Sequence, residues 1–157
     1  MPGRKFPYRA AFVACGGDGS GACDFGCIGC GKCAKACRSG AVILIPGHAA
    51  RIDRKKCVAC GLCEKNCPRG IIHLHDDANR IVIACSNTDA GAKVRAVCSV
   101  GCIGCGLCER NCTASAVTVT DHLARIDEES CLSCGVCTVK CPRHAIRDLS
   151  GILTKTE

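Results

Sequence analysis

One spacing, Cys-x2-Cys-x2-Cys-x3-Cys, occurs four times in 157 residues, and it limits the folds open to this chain more than any other feature. It runs through Cys27, Cys30, Cys33 and Cys37, then Cys57, Cys60, Cys63 and Cys67. It returns at Cys102, Cys105, Cys108 and Cys112, and again at Cys131, Cys134, Cys137 and Cys141; Pro68 and Pro142 follow two of the runs. A [4Fe–4S] cube wants four soft thiolates at the corners of a tetrahedron. Two-residue gaps let one tight loop wrap three corners, and in paired sites of this spacing the fourth Cys serves the other cluster. The expected ligand sets are therefore Cys27, Cys30, Cys33 and Cys67; Cys57, Cys60, Cys63 and Cys37; Cys102, Cys105, Cys108 and Cys141; and Cys131, Cys134, Cys137 and Cys112. Four [4Fe–4S] clusters imply one-electron transfer.

The runs are themselves repeated in pairs. Cys27 and Cys102 stand 75 residues apart, and Cys57 and Cys131 stand 74 apart. The flanks match too: Phe12-Val13-Ala14-Cys15 answers Val82-Ile83-Ala84-Cys85, and Cys27-Ile28-Gly29-Cys30 answers Cys102-Ile103-Gly104-Cys105. Such an internal repeat decides the layout. It predicts an N-terminal arm over 1–10, one unit over 11–80, a second over 81–149 and a polar tail over 150–157. In each unit short helices should follow the second Cys of a run, and the first helix should carry Cys33 and Cys37 on one face. The helix beginning near Gly61 should stop at Cys67-Pro68, because Pro cannot continue it. Apolar stretches at Ala41–Ile45, Ala50–Asp53, Ile71–Leu74, Ile81–Ala84, Val117–Thr120, Leu123–Asp127 and Ala145–Arg147 read as strands, with a turn over Asp76-Asp77-Ala78-Asn79. Ala92–Val97 reads as one or two helical turns. The fold class expected is α+β: two tandem dicluster units, each a duplicated βαβ-type half.

Composition explains why such units need metal. There is no Trp, one Tyr and three Phe, and small domains without a large core need a staple. Disulfides are the rival staple. Met1-Pro2-Gly3-Arg4-Lys5 carries neither the apolar region nor the cleavage site of a secretion signal, and no stretch reaches the roughly 20 apolar residues of a span. The reading is a reducing, cytoplasmic setting, free or peripheral to a membrane complex, without membrane insertion. The formal charge of +7 counts thiols as neutral. Sixteen thiolates and four cluster cores of 2+ bring it to roughly −1. Basic residues are scattered without interleaved aromatics, which argues against nucleic acid.

Each expected site is closed by four Cys and offers no open position for substrate, so no catalytic residue is assigned. A zinc reading does not explain the third and fourth Cys of every run. Cys23-x3-Cys27-x2-Cys30 resembles the loop of radical SAM enzymes, but four runs leave no room for their barrel. Five scattered His exclude a Rieske-type pair. Glycines in the loops should let N–H groups reach sulfur, and Ile28, Val58, Ile103 and Leu132 should form a dry collar around the clusters. Cys15, Cys23, Cys85 and Cys98 are surplus and occupy matching places in both units. They read as buried thiols, a substituted ligand or a redox-active pair.

The flanking residues narrow the field. Val13-Ala14-Cys15-Gly16-Gly17, the stretch Ala84-Cys85-Ser86-Asn87-Thr88-Asp89-Ala90-Gly91-Ala92-Lys93-Val94-Arg95, then Cys98-Ser99-Val100-Gly101-Cys102-Ile103-Gly104-Cys105 and Asn111-Cys112 resemble the ferredoxin-like region of the B subunit of Rnf-type electron transport complexes, over about 11–147. The resemblance implies relay of low-potential electrons between ferredoxin and a flavoprotein or another oxidoreductase subunit. It departs at Arg38 and Thr113, where Pro is commoner, and the family's membrane helix and additional Cys-rich module have no counterpart in these residues. The alternatives are a free-standing soluble polyferredoxin carrier and a scaffold that metal only folds.

Overall fold

The computed structural model describes residues 9–76, 78–150 and 152–153. Parts of the expected arm, turn and tail (Met1–Tyr8, Asp77, Gly151 and Thr154–Glu157) lie outside the described residues. In chain order the elements are β1 (Arg9–Val13), α1 (Lys32–Ala36), β2 (Val42–Ile43), β3 (Arg51–Ile52), α2 (Leu62–Asn66), β4 (Ile72–Asp76), β5 (Ile81–Ile83), α3 (Gly91–Val97), α4 (Leu107–Arg110), β6 (Val117–Thr120), β7 (Leu123–Ile126), α5 (Val136–Lys140) and β8 (Ile146–Asp148).

The expected mixture of short strands and helices is present, with a pairing that differs from βαβ. A βαβ half joins parallel strands, whereas every described pair here is antiparallel. β1 pairs with β4, from Arg9 opposite Asp76 to Val13 opposite Ile72, and β2 pairs with β3 inside them. The second unit repeats this, with β5 on β8 and β6 on β7. The first and last strands of each unit thus clamp an inner hairpin. Arg9 and Ala10, expected in the arm, belong to β1, where Ala10 and Ala11 are buried. Small side chains at these positions let the strand lie close over the sulfurs beneath.

The helices are too short to stand on propensity alone. α1, α2, α4 and α5 each begin after a left-handed glycine (Gly31, Gly61, Gly106 and Gly135) with φ between 72° and 77°. Glycine enters that region without strain, so these four positions set where each loop becomes helix. Cys37 does not continue the face of α1. It is an extended C-cap with φ −81° and ψ 105°, which frees it to leave the helix for the neighbouring run. The stretch before Cys98 forms the seven-residue α3; the first unit has a glycine-rich loop, Gly16–Ala22, at that place.

Two small cores result. One gathers Ala10, Ala11, Ala41, Ala50, Ile71 and Ile72 with Cys33, Cys57 and Cys63. The other gathers Ile81, Val117, Ala124 and Ile146 with Cys108 and Cys137. The halves are laced together: Gly16 N–H donates to the Ala84 carbonyl at 3.0 Å, the Ser86 hydroxyl to the Ala14 carbonyl at 2.8 Å, and His75 Nδ1 lies 2.9 Å from Glu128.

Asp148 anchors the end of the second unit. Its buried carboxylate accepts from the Ser150 N–H at 2.9 Å, the Ser150 hydroxyl at 2.5 Å and the Leu153 N–H at 3.2 Å, and Arg80 Nε lies 3.6 Å away. Burial alone would raise its pKa, but these donors and the Arg80 charge outweigh it and hold it below the ordinary value. Its stabilising contribution is therefore complete above about pH 4 and is lost as the pH falls through the lowered folded value. Asp148→Ala should cost about 1–2 kcal/mol through the lost charge-assisted hydrogen bonds, read as a lower thermal midpoint of the metal-loaded protein at neutral pH.

Candidate metal centres

Each run builds the same loop. The residue two after its first Cys has positive φ: Gly29 (66°), Ala59 (57°), Gly104 (65°) and Ser133 (52°). The residue three after the fourth Cys does likewise: Gly40 (64°), Gly70 (62°), Ser115 (51°) and His144 (53°). Those turns aim backbone N–H groups at sulfur. Gly29 N–H donates to Cys27 Sγ and Ser133 N–H to Cys131 Sγ, both at 3.4 Å. Ala41 donates to Cys37 and Ala116 to Cys112, both at 3.3 Å, and Ala11 of β1 reaches Cys57 at 3.4 Å. Such N–H···S bonds favour the anionic sulfur and tune the potential of a bound cluster.

The loops enclose cavities. One of about 20 Å³ is lined by Cys27, Cys30, Cys33 and Cys67, with Ile71 and Ile72 among its walls. Another of about 20 Å³ is lined by Cys102, Cys105, Cys108 and Cys141, with Ala145 and Ile146. In both, three sulfurs from one run meet the last sulfur of the other. Around the second run, burial pushes the Cys63 thiol up, and nearby Cys57 and Cys37 add to the effect. In the fourth set, burial raises Cys137 to about 11, with Cys131, Cys108 and Cys134 beside it. Cys112 packs against the same core without bordering a described cavity. Burial likewise raises Cys108 to about 11, with Cys102 and Cys105 adding. Free thiols at these places would keep their protons at neutral pH, so metal binding must displace them.

The donor sets fit a cluster. Each of the two cavities presents four soft thiolates and no His, Asp or Glu among its lining residues, the donor set of an iron–sulfur cube. Within each run the second Cys (Cys30, Cys60, Cys105 and Cys134) is exposed, and the third (Cys33, Cys63, Cys108 and Cys137) is buried. The expected dry collar is not continuous. Val58 is 62% and Leu132 74% exposed, whereas Ile28 is 38% exposed and Ile103 is half-buried.

The loop leaves no room for a side chain at Gly104. A Cβ there would stand 2.8 Å from the His122 carbonyl oxygen and 2.9 Å from its Cα, at a φ of 65°. Gly104→Ala should therefore displace the loop holding Cys102 and Cys105 and lower iron content by up to one cluster per chain, measured as iron and sulfide per protein.

The surplus cysteines also come together, which their positions in sequence did not disclose. Cys15, Cys23, Cys85 and Cys98 line one cavity of about 30 Å³ between the halves. Burial raises the pKa of Cys15, which has Cys98 nearby, and of Cys85, which has Cys23 nearby. Matching places in a repeat were the available signal; the lacing of Ala14 and Gly16 to Ser86 and Ala84 is what brings the pairs face to face.

Comparison with known proteins agrees with this geometry. Two family models, each described as a 4Fe-4S dicluster domain, match residues 24–74 and 101–145. The chain is 39% identical over 138 residues to the B subunit of the ion-translocating oxidoreductase complex of Methanosarcina acetivorans, covering 88% of this chain and 52% of the relative. It is 36% identical to the B subunit of the Na(+)-translocating ferredoxin:NAD(+) oxidoreductase complex of Acetobacterium woodii, over 76% of this chain and 35% of that one. It is 40% identical to the B subunit of the proton-translocating ferredoxin:NAD(+) oxidoreductase complex of Clostridium ljungdahlii, over 76% and 51%. The chain thus spans about half the length of two of these relatives and about a third of the other.

Proposed function

Because the chain belongs to the 4Fe-4S dicluster family, with two such domains in tandem, we propose that it conducts low-potential electrons as a subunit or partner of a larger oxidoreductase of the Rnf type. Its two units extend over 9–80 and 81–149, the first beginning at Arg9 of β1. Cluster one is held by Cys27, Cys30, Cys33 and Cys67, and cluster two by Cys57, Cys60, Cys63 and Cys37. Cluster three is held by Cys102, Cys105, Cys108 and Cys141, and cluster four by Cys131, Cys134, Cys137 and Cys112. The observation that carries this reading is the cavity in which Cys67 joins the first run, with its counterpart at Cys141.

When bound, each cluster takes up and releases one electron. The protein's part is to hold the sulfurs, to supply N–H donors from the loops, and to keep one side of clusters one and three dry with Ile71, Ile72, Ala145 and Ile146. With all four thiolates of each set engaged, no position is left for a substrate, so the chain is no enzyme by itself. Its partners are ferredoxin, which the names of two relatives include, and a flavoprotein or another oxidoreductase subunit. Among the described residues no helix is long and apolar enough to cross a membrane, and we place the protein in the cytoplasm, free or peripheral to a membrane complex.

Anaerobically prepared protein should show broad visible absorbance that bleaches with dithionite and returns on reoxidation by a flavoprotein. A redox-silent metal in its place would overturn electron transfer and leave the scaffold reading.

A further inference from the structure

We propose that Cys15, Cys23, Cys85 and Cys98 hold a fifth [4Fe–4S] cluster at the seam between the two units. This inference rests on the electron-transfer reading above and adds a site that the two dicluster domains do not account for.

The four sulfurs come from separate places. Cys15 follows β1 and Cys23 lies just past the glycine-rich loop of the first unit; Cys85 follows β5 and Cys98 caps α3 in the second. Each half supplies two. They border a cavity of about 30 Å³, against about 20 Å³ for each of the two cavities framed by the runs. The seam therefore leaves as much free space between its sulfurs as the run sites do.

Glycine keeps the cavity open. A Cβ on Gly17 would stand 3.6 Å from Cys98 Sγ and 3.7 Å from Cys15 Sγ, and one on Gly26 would stand 3.3 Å from Cys15 Sγ and 3.6 Å from Cys23 Sγ. The sulfurs of both halves therefore face the same small volume. They also receive the hydrogen bonds found at the runs. Cys27 N–H donates to Cys15 Sγ at 3.4 Å, Cys102 N–H to Cys85 Sγ at 3.3 Å, and Asn87 N–H to Cys85 Sγ at 3.5 Å. The buried Asn87 side chain donates through Nδ2 to Cys23 Sγ at 3.2 Å. A buried amide aimed at a sulfur suits an anionic thiolate better than a neutral thiol.

Donor chemistry selects the occupant. Four thiolates with no His among the lining residues suit iron–sulfur, zinc or cuprous sites. Of these, iron–sulfur matches the N–H···S donation and the four-thiolate sets of the neighbouring runs. A cluster with four thiolates is anionic, and two cations flank it: Arg143 donates to the Cys98 carbonyl at 2.5 Å and Arg147 to the Gly16 carbonyl at 3.5 Å. The N–H bonds from Cys27 and Cys102 also tie this site to the first Cys of clusters one and three. A cluster here would join the two units electrically.

Native mass spectrometry of the anaerobically prepared full chain tests this by counting clusters. Five per chain are expected, about 20 iron and 20 sulfide, and four in the quadruple variant Cys15→Ala/Cys23→Ala/Cys85→Ala/Cys98→Ala. Should that variant fail to fold, the wild-type count decides alone. Four clusters in the wild type would overturn the fifth site and leave the proposed function standing, and disulfides or alkylatable thiols at all four positions would overturn it in the same way. Protein with little iron at all would overturn both.

Discussion

Metal-stripped protein should lose its fold altogether. Treating the reduced chain with a strong iron chelator in the absence of oxygen is expected to take its far-ultraviolet circular dichroism to that of an unstructured polypeptide and to abolish any cooperative thermal transition. The reason is the size of what remains. The helices run from four to seven residues and the strands from two to five, lengths at which local structure does not sustain itself. The two cores contain nothing larger than Ile, and five of their fifteen buried members are Cys. Free energies of about 10–16 kcal/mol have been assigned to structural zinc in small domains, and net stabilities of whole domains are about 5–15 kcal/mol. Metal–thiolate bonds of comparable strength at several sites would exceed everything else holding this chain. An apoprotein that still melts cooperatively would refute the argument.

Paired substitutions should reveal how the fourth ligands are exchanged. If Cys67 completes the site of the first run, Cys30→Ala/Cys67→Ala removes two thiolates from one cluster and empties that site alone, a loss of one cluster per chain by native mass spectrometry. Cys60→Ala/Cys67→Ala then damages two sites, each left with three thiolates. Ligation within one run predicts the reverse. The exchanged arrangement is favoured because Cys67 borders the cavity of Cys27, Cys30 and Cys33, and because Cys37 leaves α1 in an extended conformation and lies near Cys63. The outcome turns on a count of clusters, so partial loss of stability in either variant does not confuse it.

The runs, the duplication and most elements were legible in the sequence, because these are written in local spacing. β6 over Val117–Thr120 is as expected, and β5 and β7 each stop one residue short of expectation. What stayed hidden was set at a distance. Antiparallel pairing of β1 with β4 depends on contacts roughly 60 residues apart, and nothing in the alternation of Arg9–Val13 names its partner. β2 and β3 shorten to two residues each, while the counterpart hairpin β6–β7 keeps four per strand, a difference that β propensity does not register. Cys37 falls at helical spacing from Cys33, yet the chain must turn there to deliver its sulfur elsewhere. For the same reason Cys15, Cys23, Cys85 and Cys98 looked like spare thiols: their convergence exists only once the halves are docked.

The outward placement of the second sulfur in every run has a consequence for where such a protein can live. A site whose corner meets solvent has a short tunnelling path to a docked partner, and dioxygen can take the same approach. Four such doorways on so small a body tie speed of exchange to vulnerability in air, and would confine useful work to habitats or compartments where oxygen is scarce.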